Sequence, residues 1–252
     1  MKPILFALLF LAAACSSEQD KPRQADEPAY TLIFMDKSLS VNADQAYANQ
    51  KYQQAITDLI NQHINTKGDK LDVYFIHENT AKARALTLTA RSEREELANA
   101  SATDREAAEA AYQLQLQRER TTFRKQVLTR LAQQNTSASN QETDIWASLA
   151  VMAKAAESGA AVKVYYLSDM VESMKGPDRR DFHKTPPRDN NQADEWAKAD
   201  AKQLERYAIG NPDITMVLPF EPNASRKQNN PTVTQYWQTL FTELGAGNVT
   251  EQ

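Results

Sequence analysis

Hydrophobic and polar positions along this chain alternate between two rhythms. Tyr30-Thr-Leu-Ile-Phe-Met35 is an unbroken apolar run rich in β-formers, the pattern of a strand buried on both faces, and polarity begins at Asp36. Over residues 43–65 the spacing becomes helical, with Ala46, Ala48, Ala55, Ile56, Leu59, Ile60 and Ile64 on one face, and Lys67-Gly68-Asp69-Lys70 stops that helix. Residues 71–76 read as a second strand, and residues 83–89 alternate like a third with one face exposed. Further strands are expected at 162–167 and 214–219. Helices are expected at 141–156 (Ile145, Leu149, Met152 and Ala156 inward), at 193–208, and at 232–244, where Trp237 and Phe241 read as core anchors. Strands alternating with helices predict one α/β domain, with a mainly parallel central sheet flanked by helices on both faces.

Two segments interrupt this rhythm. Residues 91–134 contain neither Gly nor Pro and carry a thin stripe of Leu97, Ala100, Ala107, Ala111, Leu114, Phe123, Val127 and Leu131. They read as a helical insertion, one long helix or two in succession, larger than a sheet crossover requires. It either lies over the sheet with its outer face solvated, or projects as an arm for a partner. Residues 172–191, with Gly176-Pro177 and Pro186-Pro187, read as a long loop, either a specificity loop or an insertion.

The amino terminus addresses the chain. Lys2 precedes an apolar core at residues 4–14, too short to span a bilayer as a mature helix, so residues 1–14 read as a secretory signal peptide. Leu11-Ala-Ala-Ala-Cys15 resembles a bacterial lipoprotein box, which implies cleavage before Cys15 and acylation of that residue, with the lipid bilayer as a partner. Cys15 is the only cysteine, so no intrachain disulfide is possible. Residues 15–29 then form a lipidated cysteine and a polar tether containing Pro22 and Pro28. Ser16, standing where sorting patterns place a decisive residue, implies a lipid anchor in the cell envelope, at the outer membrane facing the periplasm if the bacterium is Gram-negative. The formal charge of −4 becomes −5 when the leader takes Lys2 with it, leaving 28 basic against 33 acidic residues. A mildly acidic chain gives no support for nucleic acid as a partner.

Candidate chemistry sits where strands end. Asp36-Lys-Ser38-Leu-Ser40 follows the first strand, and Asp169 follows the strand at 162–167. Parallel strands bring both acids to the rim where open α/β sheets bind ligands, and Thr143 begins a helix at the same rim. A carboxylate and two hydroxyls at alternate positions present hard oxygens to one cation.

In order and placement these residues resemble the von Willebrand factor A domain and its metal ion-dependent adhesion site. Asp36, Ser38 and Ser40 match the family's Asp-x-Ser-x-Ser motif, Thr143 its loop threonine and Asp169 its strand-end aspartate. The resemblance covers residues 30–244, leaving 245–252 as a tail, and implies a three-layer Rossmann-like domain. It also implies octahedral Mg²⁺, with Mn²⁺ or Ca²⁺ as alternatives. Ser38, Ser40 and Thr143 would bind directly, and Asp36 and Asp169 directly or through water; a protein partner would offer an acidic group to the ion. Glu142 stands where a glycine commonly precedes the threonine, and Met170 where one commonly follows the last aspartate. Without a metal, the same hydroxyls are turn and cap residues.

Other chemistry has less support. His63, His77 and His183 lack zinc-site spacing, and Ser168 has neither a Gly-x-Ser-x-Gly elbow nor an identifiable histidine partner. No phosphate-cradling glycine motif is present. Asp36 at a strand end is similar to the nucleophile of haloacid dehalogenase-type phosphatases, but Ser38 replaces the acid those enzymes carry two residues later. The sequence therefore predicts a non-enzymatic, membrane-anchored binding lipoprotein; a metal-dependent hydrolase using Asp36 and a metal-free scaffold are the alternatives.

Overall fold

The computed structural model describes residues 28–37, 45–95, 97, 99–133, 142–226 and 228–252. The leader, Cys15, most of the tether, Ser38 and Ser40 lie outside the described residues. In β1 (Ala29–Asp36), Leu32 and Phe34 turn to one face of the sheet while Ile33 and Met35 turn to the other, and all four are fully buried. Each pair belongs to a separate core. β2 (Lys70–Ile76) and β4 (Ala161–Leu167) run parallel to β1 on either side. β5 (Asp213–Val217) and β6 (Asn248–Glu251) continue the parallel sheet, and β3 (Arg84–Thr89) closes the far edge antiparallel to β2, giving the order β3-β2-β1-β4-β5-β6.

Helices α1 (Gln45–His63) and α2 (Ala102–Ala132) cover the Ile33 face. Helices α3 (Ser148–Ala156), α4 (Asn190–Leu204) and α5 (Pro231–Glu243) cover the Leu32 face, so the expected three-layer α/β arrangement is observed. Phe34 stacks on Tyr166, which stacks in turn on Phe241, carrying one aromatic column from sheet to α5. The Lys67–Lys70 stop is a turn: Gly68 adopts φ +93°, and the Asp69 carboxylate accepts from the amides of Asn65, Thr66 and Ala29.

Three local bounds need correction, and one open alternative is decided. The 91–134 insertion is one helix beginning at Ala102, with Ser101 as its N-cap, and most of 91–101 is non-helical. It does not project. Tyr112, Leu116, Phe123 and Val127 are buried, the Tyr112 hydroxyl donates to the Asn65 carbonyl, and Arg120 Nε donates to the Ile64 carbonyl at 2.7 Å. Residues 248–251, expected in a tail, form β6: they pair with β5, and the Gln252 carbonyl accepts from Leu218. The helix expected from 141 starts at Ser148, after a turn in which the Asp144 carboxylate accepts from the Ala147 amide and the Ile145 carbonyl accepts from the Ser148 amide.

Candidate functional site

Parallel pairing of β1 with β4 brings the two strand-end acids together, because Met35 is in register with Leu167 and polar residues follow on both strands. Asp36 and Asp169 are only 7% and 8% exposed. Ser168 links the two strand ends. Its Oγ donates to Asp36 Oδ2 at 2.7 Å and accepts from the Met170 amide at 2.9 Å, while Asp169 Oδ1 accepts from the Val171 amide at 3.0 Å. Thr143, also buried, joins this turn from the segment before α3: its amide donates to Ser173 Oγ at 2.8 Å and its carbonyl accepts from the Ser173 amide at 3.0 Å. Asp36 and Asp169 thus sit on adjoining strand ends joined through Ser168, Thr143 is tied by its backbone to Ser173, and Ser38 and Ser40 lie outside the described residues.

The turn after Asp169 has an unusual backbone. Met170, at the position where the resemblance leads one to expect glycine, adopts φ +61°, a left-handed conformation that costs an L-residue about 1–2 kcal/mol. Its side chain is fully buried, and its carbonyl accepts from Trp237 Nε1 at 2.7 Å. Trp237 is fixed by stacking on Phe241 and by an edge contact with Tyr236. The core anchor read from the sequence therefore also holds the rim.

Behind the turn, Arg179 Nη2 donates to Asp144 Oδ1 at 2.5 Å and to Glu172 Oε1, and Glu172 Oε2 accepts from the Ile145 amide at 2.7 Å. Glu172 is fully buried, and burial pushes its carboxyl up to about 8 despite the opposing pull of Arg179. One guanidinium faces two acids, so a protonated Glu172 leaves the trio neutral. The loop beyond is pinned as well: Arg180 grips Asp200 through two 2.7 Å bonds, and Phe182 is buried with its edge against Tyr236.

Tyr52 approaches from α1 and packs in the core cluster that contains Met35 and Leu167, each at the end of its strand beside the rim. It is 3% exposed, and among the described residues its hydroxyl has no hydrogen-bond partner. Burial, then the negative charges of Asp36 and Asp169, raise the phenol well above its ordinary value.

Two nearly dry carboxylates on adjoining strand ends, with an orphaned phenol hydroxyl in the core cluster beneath them, are a donor set that a hard cation would suit. Among the described residues no group of three or more His, Cys, Asp or Glu could hold a metal, so an ion here would also need hydroxyl oxygens. Sequence reasoning misses Tyr52, the structural use of Ser168, and the Glu172–Arg179–Asp144 trio. Tyr52 is accessible in principle, since it lies four residues from both Ala48 and Ile56 on the inward face. The trio has no local signal.

The chain is a three-layer Rossmann-like α/β domain with a buried polar rim at the carboxyl ends of β1 and β4. The mainly parallel sheet between two helical layers is the three-layer fold that the sequence analysis expected. No protein-family model and no curated protein matches the sequence. Among solved structures the chain is similar to a von Willebrand factor type A protein from Catenulispora acidiphila, at 15% identity and a TM-score of 0.38, covering 86% of this chain and 42% of that one. It is similar to the PilB minor pilin from Streptococcus sanguinis at 10% identity and a TM-score of 0.42, covering 92% and 58%. It is also similar to the manganese-loaded TRAP protein of Plasmodium vivax at 14% identity and a TM-score of 0.33, covering 82% and 62%. This chain spans less than two thirds of the length of each.

Proposed function

We propose that this protein is a lipid-anchored binding module that captures an acidic group of a protein partner on a divalent cation at the sheet rim. The observation that supports the reading is the placement of buried Asp36 and Asp169 at the adjoining carboxyl ends of β1 and β4, joined through Ser168, with Thr143 tied to Ser173 a few residues further on. Asp36, Asp169 and Thr143, with Ser38 and Ser40, would hold Mg²⁺ or Mn²⁺. The ion would supply an electrophilic position for a partner's carboxylate; neutral hydroxyls leave its charge only partly compensated. On this reading the chain's own groups bind and orient, and Ser168 keeps the Asp36 carboxylate aimed. Cys15, acylated after removal of residues 1–14, would tether the domain to a bacterial envelope membrane.

The test uses the full chain purified in detergent. The wild type should bind Mn²⁺ by calorimetry and Asp36→Ala should not, while both unfold cooperatively in chelator; equal affinity in the two proteins rejects the site. In cells, Cys15→Ser should move the protein out of the membrane fraction, and retention there rejects the anchor. The enzymatic alternative predicts metal-dependent turnover of phosphate esters that disappears in Asp36→Asn.

A further inference from the structure

Tyr52 carries a group that the fold leaves unsatisfied. Its ring fills the core between α1 and the sheet, a role that phenylalanine would serve equally well, yet a hydroxyl is buried with it and has no partner among the described residues. A buried donor without an acceptor destabilises a fold, and an acceptor arriving with a ligand would relieve that cost; of the buried orphans among the described residues, which include Thr31 Oγ1, Asp72 Oδ1 and Arg179 Nε, the Tyr52 hydroxyl is the one in the cluster beneath Asp36 and Asp169. Two facts locate that acceptor. Met35 and Leu167, in the same cluster as Tyr52, immediately precede Asp36 and the Ser168-Asp169 pair. Both Asp36 and Asp169 act electrostatically on the phenol, and Ser168 already occupies one oxygen of Asp36 from the β4 side.

We propose that Tyr52 is a positioning residue of the rim site, its hydroxyl donating to the oxygen shell that Asp36 and Asp169 share with a bound divalent cation. The inference rests on the cation reading above and adds a group from α1 that lies outside the five residues carried by the resemblance. Metal sites depend on such supporting donors: they orient the ligating carboxylates, and their removal commonly weakens metal affinity by about 10- to 100-fold.

The experiment compares wild type, Tyr52→Phe and Asp36→Ala as full chains in detergent, with Mn²⁺ as the probe. Calorimetry should show affinity lowered about 10-fold in Tyr52→Phe and lost in Asp36→Ala. Urea unfolding in chelator should find Tyr52→Phe at least as stable as the wild type, because the substitution removes an orphan donor and keeps the ring. In the wild type, Mn²⁺ should perturb the near-ultraviolet absorption of a buried tyrosine, a change absent from Tyr52→Phe. Unchanged affinity in Tyr52→Phe beside lost binding in Asp36→Ala overturns the role of Tyr52 and leaves the cation site standing. Weakened affinity that merely tracks a loss of stability in chelator, or no wild-type tyrosine perturbation, also overturns it. A wild type that ignores Mn²⁺, or an Asp36→Ala that binds it equally, removes the cation reading and this inference together.

Discussion

At the scale of single residues, Met170 shows two costs in opposition. Its left-handed backbone is disfavoured by about 1–2 kcal/mol, which glycine would relieve. Its fully buried side chain opposes that change, since truncating a buried methionine costs about 2–5 kcal/mol. The lost packing outweighs the relieved strain: Met170→Gly should lower stability by about 1–3 kcal/mol in urea unfolding, even though it restores the residue the resemblance leads one to expect. A more stable variant would mean that the strain dominates instead. The substitution at 170 is visible in the sequence but its compensation is not, because the Trp237 indole that clamps the Met170 carbonyl lies 67 positions away. Ser168 is opaque for the same reason; its partner Asp36 comes from a strand 132 positions earlier.

At the scale of elements, hydrophobic spacing identifies strands and helices well wherever one face is strongly apolar, and poorly where contacts are few. β1, β2 and β4 announce themselves because both their faces are covered. β6 does not, since Asn-Val-Thr-Glu at a sheet edge buries little and its pairing with β5 is made by backbone. In α2 the stripe read from sequence includes Leu114, which is 49% exposed, and omits Tyr112 and Leu116, which are buried. The true contact line runs through Tyr112, Leu116, Phe123 and Val127, spaced four, seven and four residues apart, a helical seam interrupted by charged positions. A packed cover and a projecting arm make different predictions. Phe123→Ala should destabilise the domain by about 3–4 kcal/mol, and Leu114→Ala by less than about 0.5 kcal/mol, in paired denaturant titrations. Equal, small effects at both positions would make α2 an independent arm after all.

At the scale of the whole molecule, the charge balance of the Glu172–Arg179–Asp144 trio behind the candidate site should be visible in global stability. Glu172 has a folded value near 8 against an ordinary 4.5, so between those limits the native state holds a proton that the unfolded chain has already released. Stability contributed by this group is therefore fully present below about pH 4.5, declines as pH rises through the window, and is lost above about pH 8. The physical source is burial of the Glu172 carboxyl, which Arg179 opposes and the negative charge of Asp144, sharing that one guanidinium, reinforces. Glutamine preserves the acceptor for the Ile145 amide and cannot ionise. Relative to wild type, Glu172→Gln should consequently gain stability from pH 5 to pH 8, by a few kcal/mol in order of magnitude, and the difference should level off at higher pH. Subtracting one curve from the other cancels groups common to both, including His77, whose own titration is pushed down by burial. Parallel curves across the window would show that Glu172 is ionised in the folded protein and that Arg179 compensates both acids. A rising difference would show that the segment joining the rim to its loop is held together by a neutral, hydrogen-bonded carboxyl.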